Sequence, residues 1–333
     1  MATDGKWIER LVARAGLLDP AAAVVVACTS PSTGVLTWSS ARPEPGDVFD
    51  TTTPMYAGSV TKQLVGVLVA QQVMAGRLRP HDRVVDLLPT LPAWAEPIRV
   101  RHLLHHTSGL PAMARVLTAA GLDDEQHSTN DLVLRGLTAL AAPEAPAGSV
   151  FAYSNVGYVV LAEALRAVTG AALPVLARQS LFGPLGMTAS RLGSQEQSRP
   201  PAGAQTPGTV GDGGWWVSAS DLLTWLDALN RGHLGADLTE LVQAPGHLDD
   251  GTPLNYAWGV TARPSPAGTS YTHGGHWPGW SAKTVRRPSA GTAVALLTQS
   301  DDVEAVSEAG LALHESLPVQ STGRHRPSGW GYR

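Results

Sequence analysis

This sequence of 333 residues is short of cysteine, of lysine and of long apolar runs. Cys28 is the only cysteine, which excludes a disulfide bond within the chain. Lys6, Lys62 and Lys283 are the only lysines, and arginine supplies the other cationic side chains. No apolar run is long enough for a membrane-spanning helix, so we expect no membrane partner. A net charge of -4 without a basic cluster also argues against a nucleic-acid partner.

The N-terminal segment predicts an amphipathic helix and not an export signal. Charged residues interrupt it, whereas its apolar residues are spaced as one helix face: Trp7, Ile8, Leu11, Val12 and Ala15. The segment that ends at Cys28 superficially resembles a lipoprotein cleavage site. Asp19 and Pro20 would fall inside the apolar core that such a signal requires. We therefore expect a cytoplasmic protein.

The order of strand and helix patterns indicates how the chain is organised. Strand-like segments lie near both ends of the chain, at 22–29, 34–40, 256–262, 269–273, 281–287 and 292–298. Helix patterns fill most of the middle, and 191–214 looks like a long surface loop. We predict an α/β (α+β) fold in which residues 1–79 and 215–317 form an antiparallel sheet flanked by the terminal helices. Residues 80–214 would form an inserted, mainly helical domain, and 318–333 a loosely held tail.

The stretch 56–64 contains Ser59 and Lys62 in a Ser-x-x-Lys pattern at the start of an apolar helix. Residues three apart share a helix face, so the lysine amine can reach the serine oxygen. Burial disfavours the charged form of an amine and makes it a usable base, and a helix N-terminus favours a developing negative charge. The pattern therefore predicts a serine nucleophile activated by lysine. Since Ser-x-x-Lys also occurs by chance, an ordinary capped helix is the alternative.

A second stretch, Tyr153-Ser154-Asn155, stands just before a predicted helix. A phenol there can relay a proton, and an amide can hold both the lysine and a substrate by hydrogen bonds. The alternative is a packed tyrosine next to a helix-capping Asn155.

A third stretch, 272–276, ends a predicted strand and contains Gly274 and Gly275, which allow a substrate backbone to lie close. The main-chain N–H at this strand end could form an oxyanion hole with that of Ser59. The alternatives are a plain turn and a metal site at His273 and His276, although no third ligand is spaced nearby.

Together and in this order, the three stretches resemble the serine β-lactamase and DD-peptidase superfamily. In particular, they resemble its class C β-lactamase-like branch, with the related esterases, D-aminopeptidases and acyltransferases. Ser59 to Lys62 is similar to its Ser-x-x-Lys, Tyr153 to Asn155 to its Tyr-x-Asn, and 273–275 to its Lys/His-x-Gly. Segment 103–110, Leu-Leu-His-His-Thr-Ser-Gly-Leu, resembles a further family stretch. The resemblance covers roughly residues 22–300.

The resemblance implies an antiparallel sheet between helices, with the active site in the cleft beside a helical domain. It implies that Ser59 is the nucleophile and that Lys62 and Tyr153 handle protons, with the choice of general base open. Contacts with substrate or oxyanion are implied for a larger set: Asn155, His273, Gly275, His276, Trp215, Trp216, Trp277 and Trp280. His102, His105 and His106 share a helix face that suggests a metal site, but in the family this stretch is a structural turn. We therefore expect neither a metal nor a cofactor.

One departure from the family pattern bears on the substrate. His273 stands where many relatives have a lysine, which removes a fixed cation that would hold a substrate carboxylate. We therefore expect a small-molecule ester, thioester or amide with an apolar acyl group, and the flanking tryptophans would add apolar surface. A biosynthetic, amide-forming transacylase is the nearest alternative. A true β-lactamase or D-amino-acid peptidase and a sensor that keeps its acyl group are further ones.

Overall fold

The computed structural model describes residues 5–19, 22–40, 49–193 and 206–318. Apart from Pro318, the predicted loosely held tail lies outside the described residues. The strands are, in chain order, β1 (Val24–Ser30), β2 (Gly34–Ser39), β3 (Met55–Tyr56), β4 (Arg191–Leu192), β5 (Trp215–Val217), β6 (Thr261–Arg263), β7 (Ser270–Trp277), β8 (Trp280–Arg287) and β9 (Thr292–Thr298).

The main sheet confirms the predicted fold class, because strands from both ends of the chain pair in one antiparallel sheet. Its order is β2-β1-β9-β8-β7-β6. β1 and β9 are buried along their whole length and pair with each other in the interior of the sheet. Both are apolar runs, as expected for strands covered on two faces. A small second sheet has the order β3-β5-β4.

One predicted strand is much shorter than the sequence suggested. The segment predicted at 256–262 contributes only β6, because the chain turns sharply before it. Ala257 N–H donates to the Val260 carbonyl at 2.8 Å, and Gly259 has a φ of 85°. β7, in contrast, runs four residues past its predicted end at His273 and so passes the chemical stretch 273–276.

The helices are, in chain order, α1 (Lys6–Arg14), α2 (Lys62–Met74), α3 (Val84–Leu87), α4 (Val100–Leu104), α5 (Met113–Ala119), α6 (Asn130–Ala139), α7 (Asn155–Thr169), α8 (Leu173–Ala177), α9 (Ala219–Arg231), α10 (Ala236–Gln243) and α11 (Val303–Glu315). α1 and α11 cover one face of the sheet, where Ile8, Val12 and Leu313 are buried against Val24 and Leu296. The predicted flanking by the terminal helices is thus observed.

The other face of the sheet packs against α9 and leads to α2, which is buried on nearly all sides. A helix that is apolar all round belongs to a protein interior. Within the described ranges no single helix is long and apolar enough to cross a membrane. Only α7 together with the following Leu173–Phe182, bent by 75° between them, reaches that length and composition.

The segment 191–214, predicted as one long surface loop, contains a short strand and a mostly buried stretch. Residues 191–192 form β4, and 194–205 lie outside the described residues. Residues 206–214 are mostly buried, with Gly211 and Gly214 at positive φ. These residues are buried because the segment packs against Lys62, whose Nζ donates a hydrogen bond to the carbonyl of Asp212.

Candidate active site

Ser59 and Lys62 meet as the Ser-x-x-Lys spacing predicts. Ser59 lies in a short 3-10 turn, Gly58–Thr61, that leads into α2, and Lys62 is the first residue of that helix. Lys62 Nζ lies 2.9 Å from Ser59 Oγ. The lysine is fully buried, whereas Ser59 is partly exposed. The pair therefore presents a reachable hydroxyl over an amine shielded from water.

The Lys62 amine has three acceptors, one for each N–H of an ammonium group. Besides Ser59 Oγ, these are Asn155 Oδ1 at 2.8 Å and the carbonyl of Asp212 at 2.9 Å. The amine is thus held in one position by three separate segments of the chain. When it loses one proton, its lone pair can face the serine hydroxyl without any movement of the side chain.

Tyr153 and Asn155 reach the site because α7 begins there. Ser154 caps the helix through a hydrogen bond from Gly157 N–H to its Oγ at 3.1 Å. This cap leaves Asn155 facing Lys62 and Tyr153 on the approach to the helix. The Tyr153 ring centroid lies 4.9 Å from Lys62 Nζ, and the side chain is 48% exposed. Tyr153 thus stands between the buried amine and solvent.

His106 packs against the loop that carries Tyr153 and Ser154. The sequence did not predict this supporting role. It is fully buried, and its φ of 57° is rare for a residue with a side chain. Ser154 N–H donates to its Nδ1 at 3.1 Å, and its ring lies 4.3 Å from the Tyr153 ring. Burial and the charge of Lys62 hold the pKa of His106 far below its usual range. His106 therefore acts as a neutral support for Tyr153.

The three histidines of segment 102–106 have separate protein partners. Arg99 N–H donates to His102 Nδ1 at 3.1 Å, and His105 Nδ1 lies 3.0 Å from the carbonyl of Tyr256. Among the residues that the structure describes, no group of three or more potential metal ligands comes together. That no metal is needed stays a prediction.

β7 runs directly past the serine. A Cβ at Gly275 would collide with the Ala57 carbonyl and lie 3.1 Å from Ser59 N. A Cβ at Gly58 would lie 2.7 Å from His276 N. The main-chain N–H groups of Ser59 and His276 therefore belong to two segments in direct contact, which is the arrangement that an oxyanion hole needs. Their use in catalysis stays a prediction.

His273 lies on β7, two residues before Gly275 and on the same face of the strand. It is buried, and its Nε2 lies 3.0 Å from the hydroxyl of Tyr256. Burial first, and then the charge of Lys62, lowers the pKa of His273 to about 3. The imidazole is therefore neutral at physiological pH. That it holds no substrate carboxylate stays a prediction.

The proposed role of the tryptophans needs correction. Trp215 and Trp216 are 0% exposed and Trp280 is 5% exposed, so none of them offers a surface to a substrate. Trp216 packs edge-on against Trp280 at 5.4 Å between ring centroids. All three belong to the hydrophobic core. Trp277 is only partly buried at the end of β7, and its contact with substrate stays a prediction.

Asp212 is a site residue that the sequence did not reveal. Its carbonyl holds Lys62, and its carboxyl is buried as well, with Oδ1 lacking a hydrogen-bond partner among the described residues. Burial raises the pKa of this carboxyl, while the charge of Lys62 acts in the opposite direction. The glycines on either side, Gly211 and Gly213, were the available signal, since they allow the close backbone packing observed here.

Comparison with known proteins agrees with this fold. The family model described as Beta-lactamase matches residues 9–316, so the chain belongs to the beta-lactamase family. A D-aminopeptidase of Cereibacter sphaeroides is 26% identical over 305 residues, an alignment that covers 85% of this chain and 57% of that protein. Penicillin-binding protein 4 of Amycolatopsis lactamdurans is 31% identical over 160 residues, which covers 46% of this chain and 40% of that protein.

Solved structures show the same fold at lower sequence identity. EstCE1, described as a hydrolase with promiscuous acyltransferase activity, superposes with a TM-score of 0.75 at 20% identity. That match covers 93% of this chain and 98% of the EstCE1 chain. The chain spans about half the length of the curated relatives it matches.

Proposed function

We propose that the protein is a serine hydrolase or acyltransferase that forms an acyl-Ser59 intermediate on an ester, thioester or amide with an apolar acyl group. The observation that carries this proposal is the 2.9 Å separation of Lys62 Nζ and Ser59 Oγ, next to the contact between β7 and residues 57–59. The amine of Lys62, the hydroxyl of Ser59 and the main-chain N–H groups of Ser59 and His276 thus lie close together. Membership of the beta-lactamase family supports the same chemistry.

Acylation follows from this geometry. A neutral Lys62 amine takes the proton of the Ser59 hydroxyl while Oγ attacks the carbonyl carbon of the substrate. The N–H groups of Ser59 and His276 donate to the oxyanion, and losing one such donor typically costs about 10²–10³ in rate. The bond to the leaving group then breaks, and the leaving alkoxide, thiolate or amine receives the proton, either from Lys62 directly or through Tyr153. Ser59 is left as an ester.

Deacylation decides between hydrolysis and transfer. Water releases the acid, whereas an amine or alcohol takes the acyl group, and both routes share the same acyl-enzyme. The description of EstCE1 combines the two activities. A biosynthetic transacylase is therefore the second candidate. Tyr153 and Asn155 are both in place beside Lys62, which favours turnover over a sensor that keeps its acyl group.

An apolar acyl group is supported by the surface near Tyr153 and not by the buried tryptophans. Phe151 and Tyr153 are 46% and 48% exposed, which is high for large apolar side chains. Each ring lies within 6.4 Å of the Tyr256 ring between centroids, so they form one aromatic patch. Such surface stabilises apolar groups by about 25 cal/mol per Å² buried.

The proposal is tested with p-nitrophenyl phenylacetate and intact-mass measurement. Wild type is expected to gain one phenylacetyl group per chain and to release p-nitrophenol continuously. Ser59→Ala is expected to do neither while keeping its folded circular dichroism spectrum. Labelling of the Ser59→Ala variant, or an inert wild type, would refute the proposal. One equivalent of p-nitrophenol without turnover would favour the sensor, and a new ester or amide on adding an alcohol or amine would favour the transacylase.

A further inference from the structure

The Lys62 amine is buried, and none of the three groups that hold it is charged. Ser59 Oγ is a hydroxyl, Asn155 Oδ1 belongs to an amide, and the third acceptor is the main-chain carbonyl of Asp212. These contacts satisfy the N–H donors of an ammonium group but do not balance its positive charge. A buried cation is strongly disfavoured unless an opposite charge lies close to it. The charged form of Lys62, through which the reaction must pass, therefore needs a negative group nearby.

The carboxyl of Asp212 is in the right place to be that group. It belongs to the same residue whose carbonyl binds the amine, so the covalent geometry of one residue keeps it close to Lys62. The side chain is buried, and its Oδ1 has no hydrogen-bond partner among the described residues. Burial raises the pKa of this carboxyl, and the positive charge of Lys62 is the largest effect that lowers it. The amine and the carboxyl therefore lie close enough for each to influence the charge of the other.

The local hydrogen bonds of Asp212 favour its ionised form. The hydroxyl of Thr209 and the main-chain N–H groups of Asp212 and Gly213 donate to the carboxyl, and such donors stabilise a carboxylate. Glu125 is a further carboxyl nearby, and burial, followed by the charge of Asp212, raises its pKa. Lys62 thus favours the ionised form of Asp212, while Asp212 disfavours that of Glu125. The negative charge is therefore concentrated beside the amine.

The other titratable side chains around the amine do not supply a negative charge. They are Tyr153, Tyr158, His106 and His273. Burial and then the charge of Lys62 lower the pKa of both histidines, so both rings are neutral. Burial raises the pKa of Tyr158, whose ring centroid lies 5.5 Å from Lys62 Nζ. Of the neighbours named here, Asp212 is the one suited to balance the charge of the amine.

The fold holds the segment that carries Asp212 firmly in place. Gly211 has a φ of 111°, and a Cβ there would lie 2.6 Å from a main-chain oxygen of α7. On the other side, the hydroxyl of Tyr56 accepts a hydrogen bond from Gly214 N–H at 3.0 Å, and a Cβ at Gly213 would collide with that hydroxyl. Burial and then the charge of Asp212 raise the pKa of Tyr56, so the phenol stays neutral. The carboxyl is therefore fixed beside the amine by close packing.

We infer that Asp212 is a positioning residue that acts through Lys62, because its carboxylate stabilises the ammonium group that forms when the amine takes the proton of Ser59. This inference rests on the proposed function, in which Lys62 is the base. The proton moves from Ser59 Oγ to Lys62 Nζ while Oγ bonds to the carbonyl carbon, so a positive charge develops beside Asp212 as the transition state is reached. The charge disappears when the proton passes to the leaving group. No bond of Asp212 is made or broken.

The pH dependence of kcat/KM for p-nitrophenyl phenylacetate separates this role from a structural one. On the alkaline side the resting amine is neutral, so Asp212→Asn should lower kcat/KM at least about tenfold, because the attraction between two close opposite charges is lost only in the transition state. On the acid side the amine is charged both at rest and in the transition state, so the effect cancels and the two enzymes should converge. A loss by the same factor at every pH would indicate a structural role and overturn the inference.

Asp221→Asn is the matched control for this substitution. It makes the same change at another buried carboxyl, whose Oδ2 accepts hydrogen bonds from Ala189 N–H and Ser190 Oγ, both at 2.9 Å. The pH profile of this variant should keep the shape and the height of the wild-type profile.

Urea unfolding tests the charge pair without any need for activity. Lys62→Met leaves the carboxylate of Asp212 buried without its counter-charge, so adding Asp212→Asn should raise the urea midpoint of that variant. Adding Asp221→Asn to Lys62→Met should not raise it. If the double variant Lys62→Met/Asp212→Asn is no more stable than Lys62→Met, the inference is overturned, also when Asp212→Asn alone does not fold. If wild type does not turn over the ester, the proposed function fails, while the urea midpoints still decide whether Asp212 and Lys62 form a pair.

Discussion

The hydroxyl of Tyr256 lies 3.0 Å from Nε2 of His273, and both side chains are buried. Nδ1 of the same imidazole faces the carbonyl of Gly274. A neutral ring fits both contacts when Nδ1–H donates to that carbonyl and Nε2 accepts the tyrosine O–H. The residue in the family's lysine position is therefore a fixed, uncharged part of the cleft wall. Its partner, Tyr256, also contacts the His106 ring, 4.5 Å away between centroids.

Tyr256→Phe is expected to destabilise the protein by about 1–2 kcal/mol, because it leaves a buried imidazole nitrogen without its donor. Tyr271→Phe is the matched control, since the Tyr271 ring is only partly buried and lies against the Arg286 guanidinium. It should cost less than about 0.5 kcal/mol. Urea unfolding of the two variants measures the difference. Equal losses would mean that the hydroxyl of Tyr256 contributes nothing specific.

Local sequence patterns predicted the parts of the fold that depend on near neighbours. The β1–β2 hairpin and the start of α7 at Asn155 follow from alternation, turn residues and caps. The meeting of Ser59 and Lys62 follows from helical spacing alone. The pairing of β1 with β9 is a long-range contact, and the sequence supported it only through the order of strands along the chain.

The errors arose where burial depends on residues far away in sequence. The family resemblance suggests Trp215 and Trp216 as cleft residues, because their segment flanks the cleft in the family, yet β5 places them between β3 and β4 in the core. Asp212 looked like part of a polar loop, and only its contact with Lys62, 150 residues away, gives it a role.

Lys62→Met is expected to lower kcat/KM for p-nitrophenyl phenylacetate by about 10²–10⁴, the usual contribution of a positioned proton-transfer group. The thioether fits the buried space, so the folded spectrum should persist. Lys6→Met removes the same charge from an exposed site on α1 and should keep full activity. A Lys62→Met enzyme within threefold of wild type would rule out Lys62 as the base and leave Tyr153 as the candidate.

Gly275→Ala tests the contact that forms the proposed oxyanion hole. Its Cβ would collide with the Ala57 carbonyl, so β7 must shift away from Ser59. We expect kcat for p-nitrophenyl phenylacetate to fall about 10²-fold or more, the range for loss of one oxyanion donor. Gly274→Ala on the same strand has room for its Cβ and should lose far less. Similar losses in the two variants would show that the 57–59 contact does not position the catalytic N–H groups.

Stability should fall as the pH drops from about 7 to 5, because several histidines are buried in their neutral form. Burial lowers the pKa of His105 and His314 to about 4 and that of His273 to about 3, against 6.5 for the free side chain. Below pH 6.5 the unfolded chain therefore binds more protons than the folded one, and the free energy of unfolding decreases toward acid. Each histidine accounts for roughly 2 kcal/mol of this loss at pH 5.

His314→Gln isolates one of these contributions. His314 Nε2 lies 2.9 Å from Thr292 Oγ1 between α11 and β9, and a glutamine amide can keep a hydrogen bond to that hydroxyl without titrating. Whatever the variant loses at pH 7.5, its free energy of unfolding should fall roughly 2 kcal/mol less than that of wild type on going to pH 5. Urea unfolding at several pH values measures both slopes. Parallel curves would mean that His314 has the same pKa in the folded and the unfolded chain, because only a difference between the two states makes stability depend on pH.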